Sequence, residues 1–432
     1  MESGITRRSL IRGAALGALG MTMTVFATGC APVKSAPAPG KGPATGTLTL
    51  WDADQRESWV TVRNRVIDRF VQSRPGTRID VVSMSFSDLP AKVAVGGETG
   101  TLPDITFNLG YYPLQWGQSG FTVPLDEVLE RVGRDRFVPR LLEYSSYSGS
   151  VHTLPFYAYS HIIAYRKSAF KNAGIALPQS WREMESAARA LTSDGKYGFL
   201  VFNKSTEVNL FQDLLPTNDA YFVDAKGKAS VANQRTAESL DVAKSFVGFS
   251  PAGSIGKSAA DQRLVLLDGS AAMMATATTV AEVLGDQASD FGAFRVPINR
   301  GDREAAYGFY GWSITRDSKN PELASDFLVH FFEEANYLDL VENAPLGHLP
   351  TMQGVKLASP RINPVREFYT EGAAVVENGV LSGSHFGPNP YAGEIVSKGV
   401  YKQMLDKAVV DRQPISDVVA WGQKQVETIL NA

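Results

Sequence analysis

Residues 47–82 read TLTLWDADQRESWVTVRNRVIDRFVQSRPGTRIDVV. Thr47-Leu48-Thr49-Leu50-Trp51 predicts a short strand. Trp59, Val62, Val66, Ile67, Phe70 and Val71 then recur at three and four residues and predict one apolar helix face. Arg63, Arg65, Asp68, Arg69 and Gln72 fall on the opposite face. Pro75-Gly76 marks a turn, Arg78–Val82 a second strand, and Pro103–Asn108 a third. Strand, helix, strand, helix, strand over about 60 residues is the pattern of parallel βαβ units and places the chain in the α/β class.

The same alternation continues towards the C-terminus. Ser160–Tyr165, Tyr197–Phe202 and Phe291–Val296 read as strands. Ser180 and Glu183 form a capping box ahead of a helix over Trp181–Leu191. Helical patterns follow near 207–215, 235–248 and 260–267. Tyr307–Thr315 is apolar and carries glycines, and Asn320-Pro321 opens a helix with Leu323, Ala324, Phe327, Leu328 and Phe331 on one face. From Tyr391 onward the pattern is mostly helical.

Towards the N-terminus the character changes. Arg7-Arg8 precede an apolar run from Gly13 to Phe26, and Ala27-Thr28-Gly29 precede Cys30, the one cysteine in 432 residues. A charged start, a short apolar centre and a small-residue cleavage site read as a secretory signal over 1–29. The paired arginines fit twin-arginine export. The run is shorter than the about 20 residues a membrane span needs. Cys30 resembles the lipobox cysteine of bacterial lipoproteins, which would carry a lipid and begin the mature chain. Residues 30–45, rich in Pro, Ala and Gly, read as a flexible tether. Without residues 1–29 the chain holds 39 basic and 44 acidic side chains. This mild acidity argues against nucleic acid as a partner, because such binders carry basic patches or stripes. With a single cysteine no intrachain disulfide forms.

Motifs for chemistry are missing. Gly96-Gly97-Glu98-Thr99-Gly100 lacks the Lys-Ser/Thr ending of a phosphate loop. The five histidines at 152, 161, 330, 348 and 385 have no metal-ligand spacing, and no G-x-S-x-G elbow occurs. No metal and no cofactor is expected.

Several segments, in order along most of the mature chain, resemble the extracellular solute-binding proteins of ABC importers, in particular the carbohydrate-binding group. They are Trp51 with Asp52, Asp54, Gln55 and Arg56; Phe70-x4-Pro75-Gly76; Leu102-Pro103-Asp104-Ile105 with Pro124-Leu125-Asp126; and Tyr165-x-Lys167-x2-Phe170-x3-Gly174 with Pro178-x2-Trp181. Leu267-x-Gly269-x-Ala271-Ala272-Met273, Ser318-Lys319-Asn320-Pro321 and Gly347-x2-Pro350 continue the series. Where the family often has Gly-Pro-Trp, this chain has Ala277-Thr278-Thr279. The resemblance implies a two-lobed periplasmic-binding-protein fold, type II-like. Its lobes are discontinuous, at 46–157 plus 309–355 and 158–308 plus 356–432, and a hinge of crossing strands joins them. It also implies a monomeric receptor, anchored to the outer face of the cytoplasmic membrane through lipid alone. Such a receptor hands a mono- or oligosaccharide to the transmembrane permease of an ABC importer and is not an enzyme.

Sugar hydroxyls need fixed planar polar groups, and the C–H faces of the ring need aromatic surfaces. The residues expected to contact ligand are Asp54, Gln55, Asn108, Tyr111, Tyr112, Tyr159, Asn203 and Glu207. Gly308, Tyr310, Gly311 and Trp312 at the glycine-bearing crossing, and Asn389, Tyr391 and Glu394 in the late loop, complete the set. Trp51, Trp59, Trp116 and Trp181 read as core. Two other readings stay open. A sugar phosphate or glycerophosphodiester ligand would need a basic cleft, for which Arg56 is the obvious candidate. A surface glycosidase would need two carboxylates about 5–9.5 Å apart.

Overall fold

The computed structural model describes residues 44–201, 203 and 209–431. The expected signal segment, Cys30, most of the tether, Phe202 and Glu207 lie outside the described residues. The strands among the described residues are β1 (Gly46–Asp52), β2 (Thr77–Ser83), β3 (Ile105–Leu109), the small hairpin β4 (Ser146–Tyr147) and β5 (Ser150–Val151), β6 (Leu154–Arg166), β7 (Met273–Ala277), β8 (Phe291–Phe294), β9 (Ala306–Ile314), β10 (Leu349–Pro350) and β11 (Val380–Leu381).

β1 forms where the alternation of Leu48 and Leu50 predicts it, with both side chains fully buried. It pairs in parallel with β2 and with β3. Helix α1 (Glu57–Ser73) buries Trp59, Val62, Val66, Ile67 and Phe70, with Trp59 stacked on Phe156 and Phe70 edge-on to Phe327. Arg63, expected on the polar face, is buried as well. Its guanidinium pairs with Asp52 at the end of β1, and the Trp59 Nε1–H donates to the same carboxylate at 2.8 Å. Burial raises the Asp52 pKa against these partners. The turn after α1 is made by Gly76 at φ +88°, where a side chain would strain the backbone.

Asp104 accounts for two of the family-like segments at once. Its carboxylate accepts from Thr49 N at 2.8 Å, Ser318 Oγ at 2.7 Å and Lys319 N at 2.8 Å. It thereby ties β1 to the turn that opens the helix Pro321–Phe331.

β6 and β9 organise the rest. The main sheet runs β10-β6-β9-β3-β1-β2, with β9 antiparallel to both β3 and β6. Residues Leu154–Ser160 of β6 pair with β9, whereas His161–Arg166 pair with β7 and β8. In the same way β9 pairs with β11 at Ala306 and Tyr307 and with β3 from Tyr310 onward. The strand expected at 160–165 therefore starts six residues earlier. Pro155 is accommodated because the register shifts between Pro155 and Tyr157, and a bulge is one place where a sheet tolerates proline.

Two further expectations are corrected. Of the strand expected at Tyr197–Phe202, the described residues Tyr197–Val201 form only isolated parallel bridges, from Tyr197 to Ala271 and from Leu200 to Met274. Ser180 caps its helix as expected, accepting from Glu183 N at 3.2 Å, but the Glu183 side chain accepts from Gln179 N rather than closing the box on Ser180. The helices Gln234–Val247, Val400–Val409 and Ile415–Leu430 pack together and give the expected helical end.

Trp312, on β9, is fully buried. Its ring lies among Phe156 (centroids 5.1 Å apart), Phe107 (5.7 Å), Phe331 (6.0 Å) and Trp59 (6.2 Å). Removing a packed indole leaves a cavity that such a rigid aromatic cluster fills poorly. Trp312→Ala is expected to cost about 3–5 kcal/mol of stability, measured by urea unfolding. A loss below about 1 kcal/mol would contradict this placement.

Candidate ligand-binding site

The loop after β1 meets the crossing of β6 and β9 beside a cavity that Arg56 lines. Asp54 and Arg56 belong to that loop, and Tyr157 to β6. Arg56 clasps Asp54 with two donors. Nε donates to Oδ1 at 2.8 Å and Nη2 to Oδ2, while Nη2 also donates to the Tyr157 hydroxyl at 3.0 Å. The Tyr157 hydroxyl donates in turn to Asp54 Oδ2. Burial alone would raise the Asp54 carboxyl, but Arg56 and Tyr157 together hold it below the ordinary aspartate value. Burial, and then the same carboxylate, pushes the Tyr157 phenol well above its usual range. Asp54 is fully buried, whereas the Arg56 side chain keeps 33 % of its surface exposed. The loop thus presents a fixed guanidinium over a buried counter-charge.

Tyr310 on β9 extends the site with aromatic surface. It stacks on Phe86, with centroids 5.3 Å apart and planes 21° from parallel, and lies 5.2 Å from Tyr159 and 5.3 Å from Tyr157. Gly308 makes room for Tyr159, since a Cβ there would sit 2.4 Å from its ring and hydroxyl. Beyond Tyr159 lies His161, whose Nδ1 is 2.5 Å from Asp213 Oδ1. Both are fully buried, and burial raises the Asp213 carboxyl. His161 Nε2, Asp213 Oδ2 and the amide of neighbouring Gln212 are buried polar atoms without hydrogen-bond partners among the described residues.

The expected contact residues divide into three sets. Asp54, Tyr159, Gly308 and Tyr310 come together at the crossing. Tyr111 and Tyr112 lie at the end of β3. Tyr112 stacks on Trp116 at 5.2 Å, and its hydroxyl reaches Gly393 O at 3.5 Å in the helix Ala392–Ser397, so Glu394, expected in the late loop, is helical and the loop ends at Tyr391. In that loop Asn389 bonds Gly383 O and Tyr391 N, and Tyr391 is half-buried. Glu394 faces Lys398 at 3.1 Å.

The others are held elsewhere. Asn108 is fully buried and donates to Thr153 Oγ1 at 2.9 Å and Ser313 Oγ at 3.1 Å. Trp312 is core, as described above, and Gly311 serves close packing on Thr153 and Leu154. Asn203 donates to Lys402 O at 2.7 Å and Asp406 Oδ1 at 2.8 Å, tying its segment to a C-terminal helix. Gln55 is exposed and donates to Met84 O at 2.6 Å. Residues missed as site members are Phe86 and His348. Phe86 belongs to no motif, and His348 is an unspecified position inside the family-like Gly347-x2-Pro350 segment. No group of three or more metal-ligating side chains occurs among the described residues. No described helix is long and apolar enough to cross a membrane.

Comparison with known proteins gives consistent results. Residues 57–337 match the family described as bacterial extracellular solute-binding protein. The mannitol-binding protein of Pseudomonas aeruginosa is 27% identical over 168 residues, 38% of each chain. Among solved structures, the maltose-bound MalE3 of T. maritima superposes with a TM-score of 0.77 at 16% identity, covering 89% of this chain and 100% of the other. An ABC transporter solute-binding protein from Thermotoga lettingae, bound to α-D-tagatose, gives 0.75 at 20% identity, with coverage of 89% and 100%. These likenesses establish the two-lobed fold of periplasmic binding proteins.

His348 carries a pH dependence that follows from this geometry. It packs edge-on to Tyr157 with centroids 4.0 Å apart, and its Nδ1–H donates to Pro345 O at 2.7 Å. Burial, then the Arg56 charge, pushes its pKa down to about 3. Between about 6.5 and that value the unfolded chain binds a proton that the folded chain does not. His348 therefore removes stability as pH falls through the window, by up to about 1.4 kcal/mol per pH unit. His348→Gln should flatten the fall of unfolding free energy between pH 6.5 and 4 relative to the parent. Equal slopes in urea titrations would contradict a buried neutral imidazole.

Proposed function

Because the chain belongs to the bacterial extracellular solute-binding protein family, we propose that it captures a mono- or oligosaccharide in the crevice at the strand crossing. It then delivers the sugar to the permease of an ABC importer. Members of this family bind solutes rather than transform them, so the glycosidase alternative is set aside. The observation that carries the carbohydrate reading is that Arg56, fixed on Asp54 and Tyr157, is joined through Tyr157 to the rings of Tyr310 and Tyr159. A rigid planar donor beside aromatic faces matches the hydroxyls and apolar faces of a sugar ring. Relatives bound to maltose and tagatose, and one named for mannitol, support the same ligand class.

The lobes are taken as 46–157 plus 309–355 and 158–308 plus 356–432. The support is that β6 exchanges β9 for β7 at Ser160–His161 and that β9 exchanges β11 for β3 at almost the same level. Contacts already bridge these lobes. Ser58 Oγ donates to Glu282 Oε1 at 2.9 Å, and the Tyr144 hydroxyl to Ser384 O at 3.2 Å. A ligand touching both lobes binds the closed form better than the open one and shifts the population towards it. The receptor works as a monomer, exported by the twin-arginine route and held at the outer face of the cytoplasmic membrane by a lipid on Cys30.

A panel of mono- and oligosaccharides should raise the melting temperature for at least one sugar, without turnover. Tyr159→Ala should weaken that sugar at least tenfold in calorimetric titration while the far-UV circular dichroism spectrum stays unchanged. A flat panel would defeat the carbohydrate reading. Cys30→Ser should move the exported protein from the detergent phase to the aqueous phase in Triton X-114 partitioning. Continued detergent partitioning of the variant would defeat the anchor.

A further inference from the structure

A cavity of about 660 Å³ opens beside Arg56, walled on one side by the first turns of α1 and on the other by Arg263, Thr279 and Glu282. Four of its lining residues are arginines: Arg56, Arg65, Arg263 and Arg361. Three of these have carboxylate partners. Arg56 holds Asp54, Arg65 meets Asp339 at 2.6 Å, and Arg361 lies 3.9 Å from Glu282. Arg263, on the helix Ala259–Leu267, has none among the described residues. The charged group acting on it is another cation, Arg56. Its Nε is buried and without a hydrogen-bond acceptor.

The two acids in the wall do not relieve this. Glu282 is engaged by Ser58 Oγ, by Leu346 N at 2.5 Å and by Arg361, and Glu57 is exposed to solvent at the start of α1. A chain of net charge −3 therefore gathers four guanidinium groups around one cavity and leaves one of them facing a like charge. Burial and that neighbour hold the Arg263 pKa below the ordinary arginine value. A bound anion would reverse both effects. The arginine fork, with its fixed planar donors, pairs in two-point fashion with a carboxylate or a phosphate. Arg56 spends Nε and Nη2 on Asp54 and Tyr157, which leaves Nη1 as its remaining guanidinium donor.

We propose that the ligand is a carbohydrate bearing an anionic group, a carboxylate or a phosphate, and that Arg263, with Arg56 across the cavity, receives that group. This rests on the carbohydrate reading above and narrows it to a charged subclass. Because Arg56 and Arg263 come from opposite lobes as proposed, the anion also bridges them, and its charge favours the closed form.

The test is calorimetric titration of the mature protein with glucose, galactose and mannose, each beside its uronate and its 6-phosphate, with inorganic phosphate as a control. For at least one sugar the charged form should bind at least tenfold more tightly than the neutral form. That advantage should shrink at high ionic strength, where exposed charge pairs are screened. The uronate and 6-phosphate arms tell which anion is preferred. Arg263→Gln should abolish the advantage while leaving neutral-sugar affinity within twofold, and Arg263→Lys, which keeps the charge without the fork, should retain part of it. A neutral sugar binding as tightly as its charged forms, or an unchanged preference in Arg263→Gln, would overturn the proposal and leave the carbohydrate reading standing. Inorganic phosphate binding as tightly as the sugar phosphates would reduce the site to a plain anion site. Failure of every sugar, neutral and charged, would overturn both readings.

Discussion

The thirteen residues of β6 must satisfy their backbone hydrogen bonds in two places at once. All but the last are buried, so no stretch can leave its amides to water. The first half finds β9 and the second finds β7 and β8, with the exchange at Ser160–His161. β9 meets the same constraint in reverse by giving up β11 for β3. Two strands that cross in this way join two bodies without a conventional linker between them. The residues at the exchange, Tyr157, Tyr159, Gly308 and Tyr310, are then held in place beside Arg56 by the ladder itself.

Electrostatics follows from that placement. Asp54 is carried into the interior by the end of β1, and an isolated carboxylate there would be costly. Arg56 and Tyr157 offset the cost, and Arg56 is fixed in return, so its position is set before a ligand arrives. Preorganised donors of this kind reduce the ordering that binding would otherwise require. His348, neutral beneath Tyr157, keeps a second cation out of the same space. Arg263 has no such partner among the described residues and faces the Arg56 charge across the cavity.

Much of the fold is legible along the chain because β1, α1 and β2 each bury one face and so imprint a period of two or 3.6 on the sequence. β6 is harder to read. Its first half, Leu154–Ser160, is buried on both faces and begins with a bulge at Pro155, so it shows no alternation. Tyr197–Phe202 has the composition of a strand, but Gly198 presses against the Ala188 backbone and the described residues Tyr197–Val201 make only single bridges. At the site, Tyr310 and Trp312 share one face of β9 by periodicity. Sequence cannot tell that the crevice ends between them, with Tyr310 towards Tyr159 and Trp312 under Phe156 and Trp59. Asn108 and Asn203 have the right chemistry for sugar hydroxyls, but buried hydroxyl and carbonyl neighbours hold their amides. Arg263 leaves no trace in the sequence, because its significance is the lack of a partner across the cavity among the described residues.

The central claim is that the crossing of β6 and β9 creates a carbohydrate site with Arg56 at its edge. A crystal structure of the mature protein soaked with the best-binding sugar tests this most directly. Ligand density is expected between the lobes, within hydrogen-bond distance of Arg56 and against the rings of Tyr159 or Tyr310. Density confined to an outer face, with the crevice holding only water at saturating sugar, would contradict it.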